Sequence, residues 1–219
     1  MAQIENPTRE RILARIRNAL KTPAPMHWTN QATHGMQPIF APIPDALERF
    51  QRECAGNKTE LIVTPNSSSE ALETVLASLP PGEIFVQDAP ELREKSSALH
   101  DRKDIRWSSE GAPHENSQAT LTLAEVLIAQ TGSVMVSAAC GGRGAFIVAP
   151  VHIVLARARQ LVPTVDDAFA RIRERGTAAQ NSYVCLITGS SRTADIEKIL
   201  VMGAHGPRRL VVILELATK

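Results

Sequence analysis

The chain has 219 residues, a net charge of +1, and 43% apolar and 21% charged residues, which suits one α/β domain with a full core and a small appendage. Charge so near zero gives no general attraction to nucleic acid or an acidic membrane, and 4% aromatic residues leave no base-stacking platform. Its three cysteines, Cys54, Cys140 and Cys185, are dispersed with no CxxC, which excludes a classical zinc or iron–sulfur ligand set inside the chain and fits a reducing compartment.

Met1-Ala2-Gln3-Ile4-Glu5 contains no apolar signal core, and no apolar run reaches the roughly 18 residues of a membrane span, so a cytoplasmic location is expected. Asn6-Pro7 opens a helix, Asn as cap and Pro in the first turn. Ile12, Leu13, Ile16, Ala19 and Leu20 share one face, opposite Arg9, Arg11, Arg15 and Arg17. The basic face reads as solvated, although such a helix also suits a partner or an anionic surface. Lys21 to Pro44 carries Pro23, Pro25, Pro38, Pro42 and Pro44 and reads as an extended linker or a docking arm. Residues 1–44 are therefore expected to form a basic helix and Pro-rich linker, and 45–219 an α/β domain.

From Asp45 the pattern is regular. Helices are expected over Asp45–Ala55, Ser67–Leu79 and Pro90–Leu99, and strands over Glu60–Thr64, Glu83–Gln87 and Ile105–Trp107. This alternation predicts βαβ units and a mainly parallel sheet with flanking helices. From Thr120 to Leu155 short apolar runs, including Val134–Val136, Phe146–Val148 and Val151–Leu155, are divided by turn residues and read as strands without intervening helices. A helix over Val165–Arg175, a strand over Val184–Ile187, a helix over Thr193–Met202 and a strand over Leu210–Leu216 complete the chain.

The polar turn Thr188-Gly189-Ser190-Ser191-Arg192 stands between an apolar strand and an expected helix. Free N–H groups at a helix start, a glycine permitting close approach, hydroxyls and a guanidinium together suit a carboxylate or phosphate. The plainer reading is a helix cap, with Arg192 paired to Asp195 or Glu197. Gly142 and Arg143, in Cys140-Gly141-Gly142-Arg143-Gly144, are expected either to line the same cleft or to form a hairpin turn. Thr131 and Gly132 read as a turn or a ligand contact. His205, in a glycine-flanked turn, is a candidate for substrate positioning or acid–base work, and His152, in an apolar strand, reads as a structural histidine. No metal set is apparent.

Thr131-Gly132-Ser133, Pro150-Val151-His152-Ile153, the block from Thr188 to Glu197 and Gly203-Ala204-His205-Gly206-Pro207 together resemble the LUD-domain family in order and spacing. The resemblance covers residue 45 to the end. It implies a Rossmann-like fold of the sugar-phosphate isomerase and CoA-transferase superfamily. It also implies a part in oxidising L-lactate to pyruvate beside two partner subunits that carry the iron–sulfur clusters, with no cofactor in this chain. It carries over no catalytic residue. Gln130 stands where the family usually has Glu, and Ser190 where Pro is usual, so no mechanism can be built on position 130. Two other functions stay open: a stand-alone CoA-transferase-like or isomerase-like enzyme acting on a phosphorylated or acyl-CoA ligand, and an anion-sensing module. A homo-oligomer also stays open.

Overall fold

The structure, a computed structural model, describes residues 7–22, 40–94, 99, 102–174, 183–193, 201–202 and 206–217. The chain divides into two compact units, Met1–Pro42 and Ile43–Lys219. The first holds α1 (Pro7–Ala19), on which Ile12 and Ile16 are 51% and 50% exposed. Asn6, the expected cap, and most of the expected linker lie outside the described residues.

The second unit is built on a six-stranded parallel sheet in the order β1-β12-β7-β4-β2-β3. Its strands are β1 (Glu60–Thr64), β2 (Ile84–Val86), β3 (Ile105–Trp107), β4 (Ala119–Leu123), β7 (Val151–Arg157) and β12 (Arg209–Glu215). A parallel sheet is covered on both faces, so its strands read as continuous apolar runs. In β12, Leu210 to Leu214 are all 0% exposed. One face packs on α3 (Ser69–Ala77) and α4 (Pro90–Glu94) through Leu72, Val75, Leu76 and Leu92. The other packs on α2 (Ala46–Gly56), through Phe50 and Cys54, and on a second sheet.

That second sheet has the order β8-β5-β6-β9, from β5 (Val126–Ile128), β6 (Ser133–Ser137), β8 (Leu161–Val162) and β9 (Val184–Ile187). The chain leaves β4 and enters β5 across Ala124 and Glu125. Alternation then sends Leu127, Val134 and Val136 toward the main sheet, and Val126, Ile128 and Met135 toward Ala168 and Ile172 of α5 (Val165–Glu174). The layers are thus helices, parallel sheet, α2 with the small sheet, and α5.

Helix ends follow their capping chemistry. The Asp45 carboxylate accepts from Glu48 N at 2.9 Å, closing the first turn of α2. Asp45→Ala should cost about 1 kcal/mol, seen as a lower urea midpoint at unchanged slope. At α5, Thr164 Oγ1 accepts from Asp167 N at 3.2 Å while Asp167 Oδ2 accepts from Thr164 N at 3.0 Å. Ser68 precedes α3, but its hydroxyl donates to Glu215 Oε2 at 3.3 Å and makes no cap bond. The helix is accordingly shorter at each end than the expected Ser67–Leu79.

Three expectations are corrected. Phe146–Val148 is no strand: Arg143–Phe146 forms a 3-10 turn, and Ile147 and Val148 close on Gly144 O at 3.3 and 3.1 Å. Left-handed φ angles of 102° and 89° at Gly141 and Gly142 turn the chain there, and Phe146 drops into the core. Val184–Ile187 does not join the parallel sheet. It is an edge strand antiparallel to β6, with Val136 opposite Cys185. The expected helix over Thr193–Met202 does not start or end as one. Arg192–Thr193 (β10) pairs antiparallel with Val201–Met202 (β11), and 194–200 lie outside the described residues.

Candidate functional site

The two glycine-hydroxyl motifs meet. Thr131 Oγ1 and Ser133 Oγ share a hydrogen bond of 2.7 Å, and Ser133 Oγ and Thr188 Oγ1 one of 2.6 Å. Both turns dock on the end of α2. Asn57 Nδ2 donates to Thr131 O at 2.8 Å. Gly132, at φ 64°, lies so close that a Cβ would stand 2.8 Å from Glu53, and a Cβ on Gly189, at φ 81°, would collide with the Asn57 carbonyl oxygen. Here glycine is required by both the φ angle and the approach. Ser191 N donates to Pro207 O at 2.8 Å. Thr188, Gly189, Ser190 and Ser191 line a shallow groove of about 510 Å³ with Asn57, Ile147, Leu186 and Pro207. Ser190 Oγ is buried there with no partner among the described residues.

The remaining candidates are placed differently. Arg192 enters β10, and His205 lies outside the described residues. Gly142 and Arg143 do not line the groove; Arg143 lies over the Tyr183 ring, 5.1 Å from its centroid, at the far end of β9 from Thr188. Strand rise puts those ends roughly 16 Å apart. Gln130 Oε1 accepts from Val165 N at 3.2 Å, so position 130 holds the start of α5, a task a neutral amide performs.

The groove sits at the N-terminal edge of the parallel sheet. Asn57 precedes β1, Pro207 precedes β12, and Arg208 N donates to Pro150 O, just before β7, at 2.8 Å. Open α/β sheets take ligands at the opposite, C-terminal edge. At that edge is a cavity of about 290 Å³. Gln87 follows β2, Glu125 follows β4, Arg157 ends β7, and Arg159, Glu91 of α4 and Ser68 before α3 complete its polar wall. Gln160 spans the base: its Oε1 accepts from Arg157 N at 2.7 Å, and its amide donates to Ala124 O. Gln87 Oε1 accepts from Leu123 N at 2.8 Å, and Glu125 Oε1 accepts from Ser137 Oγ at 2.7 Å. Arg157 Nη1 approaches Glu91 Oε1 at 3.8 Å. None of these residues stands in a conspicuous motif. Their signal is a polar residue directly after each apolar run.

The LUD domain model matches residues 29–214. The chain belongs to the LUD domain family. Lactate utilization protein C of Bacillus subtilis (strain 168) is 27% identical over 189 residues, covering 78% of each chain. That of Geobacillus thermodenitrificans (strain NG80-2) is 29% identical over 187 residues, again 78% of each. The crystal structure of a DUF162 family protein from Deinococcus radiodurans superposes with a TM-score of 0.59 at 19% identity, covering 78% of this chain and 96% of that one, a likeness of fold.

His152, Cys54 and Cys140 of this LUD domain are buried. His152 is 0% exposed, and its Nε2 shares a 2.9 Å hydrogen bond with Thr122 Oγ1. Burial pulls its pKa down to about 3. Burial, helped by Glu53, pushes the Cys54 thiol up to about 12, and burial pushes Cys140 up to about 11. Among the described residues no group of three His, Cys, Asp or Glu could hold a metal ion, and no helix is long and apolar enough to cross a membrane.

Proposed function

We propose that this LUD domain serves in the oxidation of L-lactate to pyruvate, as a component without iron–sulfur clusters working beside cluster-bearing partner subunits. The match over 29–214, with relatives named lactate utilization protein C aligned along 78% of both chains, is the observation that carries this reading. Turning a 2-hydroxycarboxylate into a 2-oxocarboxylate releases an electron pair that needs an acceptor. An ordinary iron–sulfur cluster takes about four thiolates. The chain has three cysteines, two of them buried as protonated thiols, which supports placing the clusters in partners. Deleting the chain's gene from its host should abolish growth on L-lactate as sole carbon source but not on pyruvate, and restoring the chain should restore growth. Undiminished growth of the deletion strain on L-lactate would overturn the reading.

A second location for the ligand is favoured by Ser190, whose buried, unpartnered hydroxyl sits in the Thr188–Ser191 groove. On that reading an anion would be held by the Thr188–Ser191 turn.

A further inference from the structure

The C-terminal-edge cavity combines features that a small acid bearing a hydroxyl requires. It lies where three strands of the parallel sheet, β2, β4 and β7, end, on the side to which helix N-termini return. Its volume of about 290 Å³ is at the low end for small-molecule pockets, roughly 300 Å³ and upward, a size that suits a small ligand. Its donors and acceptors are separated by type. Gln87 uses its carbonyl oxygen to accept from Leu123 N, which leaves its amide nitrogen as the group with hydrogens to donate. Arg157 retains most of its guanidinium fork, since its contact with Glu91 is a single 3.8 Å approach. Arg159 is exposed on the rim. A planar fork with amide donors beside it matches a carboxylate. On the β4 side stands Glu125, held in place by Ser137. A carboxylate offers about four lone-pair sites, so a ligand hydroxyl can donate to Glu125 beside the bonds the carboxylate already accepts.

We propose that this cavity binds a small 2-hydroxycarboxylate, its carboxylate on Arg157, Arg159 and the Gln87 amide, its hydroxyl donating to Glu125. The proposal deepens the lactate reading and rests on it. Gln160 fixes the geometry, because its side chain joins the backbone of β7 to that of the β4–β5 crossing and sets the spacing between the Arg157 and Glu125 walls. Two arginines against two glutamates leave the lining without net charge, so a compact oxyanion lacking a hydroxyl gains less there than a hydroxy acid does.

Calorimetric titration of the full chain with L-lactate, pyruvate and inorganic phosphate tests this. L-lactate is expected to bind saturably, more tightly than pyruvate, with phosphate weakest. Arg157→Gln and Arg159→Gln should each weaken L-lactate by about tenfold or more. Arg159 is exposed, so its variant folds. Glu125→Gln should bring L-lactate and pyruvate to similar affinities. The proposal is overturned if none of the three binds, if phosphate binds best, or if both arginine variants bind L-lactate like the native chain. Growth of the host separates the two readings. If the deletion strain grows normally on L-lactate, the lactate role fails. If deletion blocks growth and the chain carrying both arginine changes restores it fully, the role stands and the cavity assignment fails.

Discussion

Gly189→Ala is expected to destabilise the second unit by about 3 kcal/mol and to lower its Tm by roughly 10 °C. Two costs add. A non-glycine residue in the left-handed region costs on the order of 1 kcal/mol, and Gly189 sits at φ 81°. The new Cβ would then meet the Asn57 carbonyl oxygen, a backbone atom held at the end of α2. Forcing atoms into a packed contact costs about 1–3 kcal/mol, and each kcal/mol is worth about 2–4 °C in a domain of this size. Gly142→Ala is the control. Its φ of 89° carries the same conformational cost, but nothing lies within 4 Å of its Cβ, so about 1 kcal/mol is expected. Calorimetric melting of both variants checks this. Equal losses would mean that the turn is not docked on α2.

Acidification should unfold the protein through His152 before its carboxylates protonate. In the unfolded chain a histidine titrates near 6.5. In the fold, burial holds His152 at about 3. The folded pKa is the lower, so below pH 6.5 the unfolded chain binds a proton that the native state refuses. Stability falls as pH falls, by about 1.4 kcal/mol per pH unit, levelling near pH 3. By pH 4.5 the loss is about 3 kcal/mol. Among the described residues nothing offsets it: Nε2 is occupied by Thr122, and Nδ1 has no partner. Urea unfolding at stepped pH should show this slope in the native chain and a flatter one in His152→Gln, even though the variant is weaker at pH 7.5. Identical slopes would contradict the burial of a neutral imidazole.

Much of the fold could be read before the structure, because a strand buried on both faces shows as an unbroken apolar run. The runs Val151–Leu155 and Leu210–Leu216 mark the buried strands β7 and β12 to within two residues. Which sheet a strand joins is not written in its own residues. Val184–Ile187 has the same apolar character whether it belongs to the parallel sheet, as expected, or pairs with β6, as found. That choice is made by long-range pairing, and with it the Thr188 turn moved from the ligand edge of the sheet to the opposite one. The link between Thr131, Ser133 and Thr188 was half legible: both turns were singled out, but not their hydrogen-bonded contact. The cavity was missed because Gln87, Glu125 and Arg157 stand far apart in sequence and share nothing but a place just after a strand. The parallel register of β2, β4 and β7 brings them together.

Where an anion binds can be read directly by nuclear magnetic resonance, following backbone amide shifts of the full chain as L-lactate is added. The account predicts that the largest changes fall at Gln87, at 123–125 and at 157–160, around the C-terminal-edge cavity. Changes centred instead on 131–133 and 188–191, with the cavity residues still, would contradict it and return the ligand to the Ser190 groove.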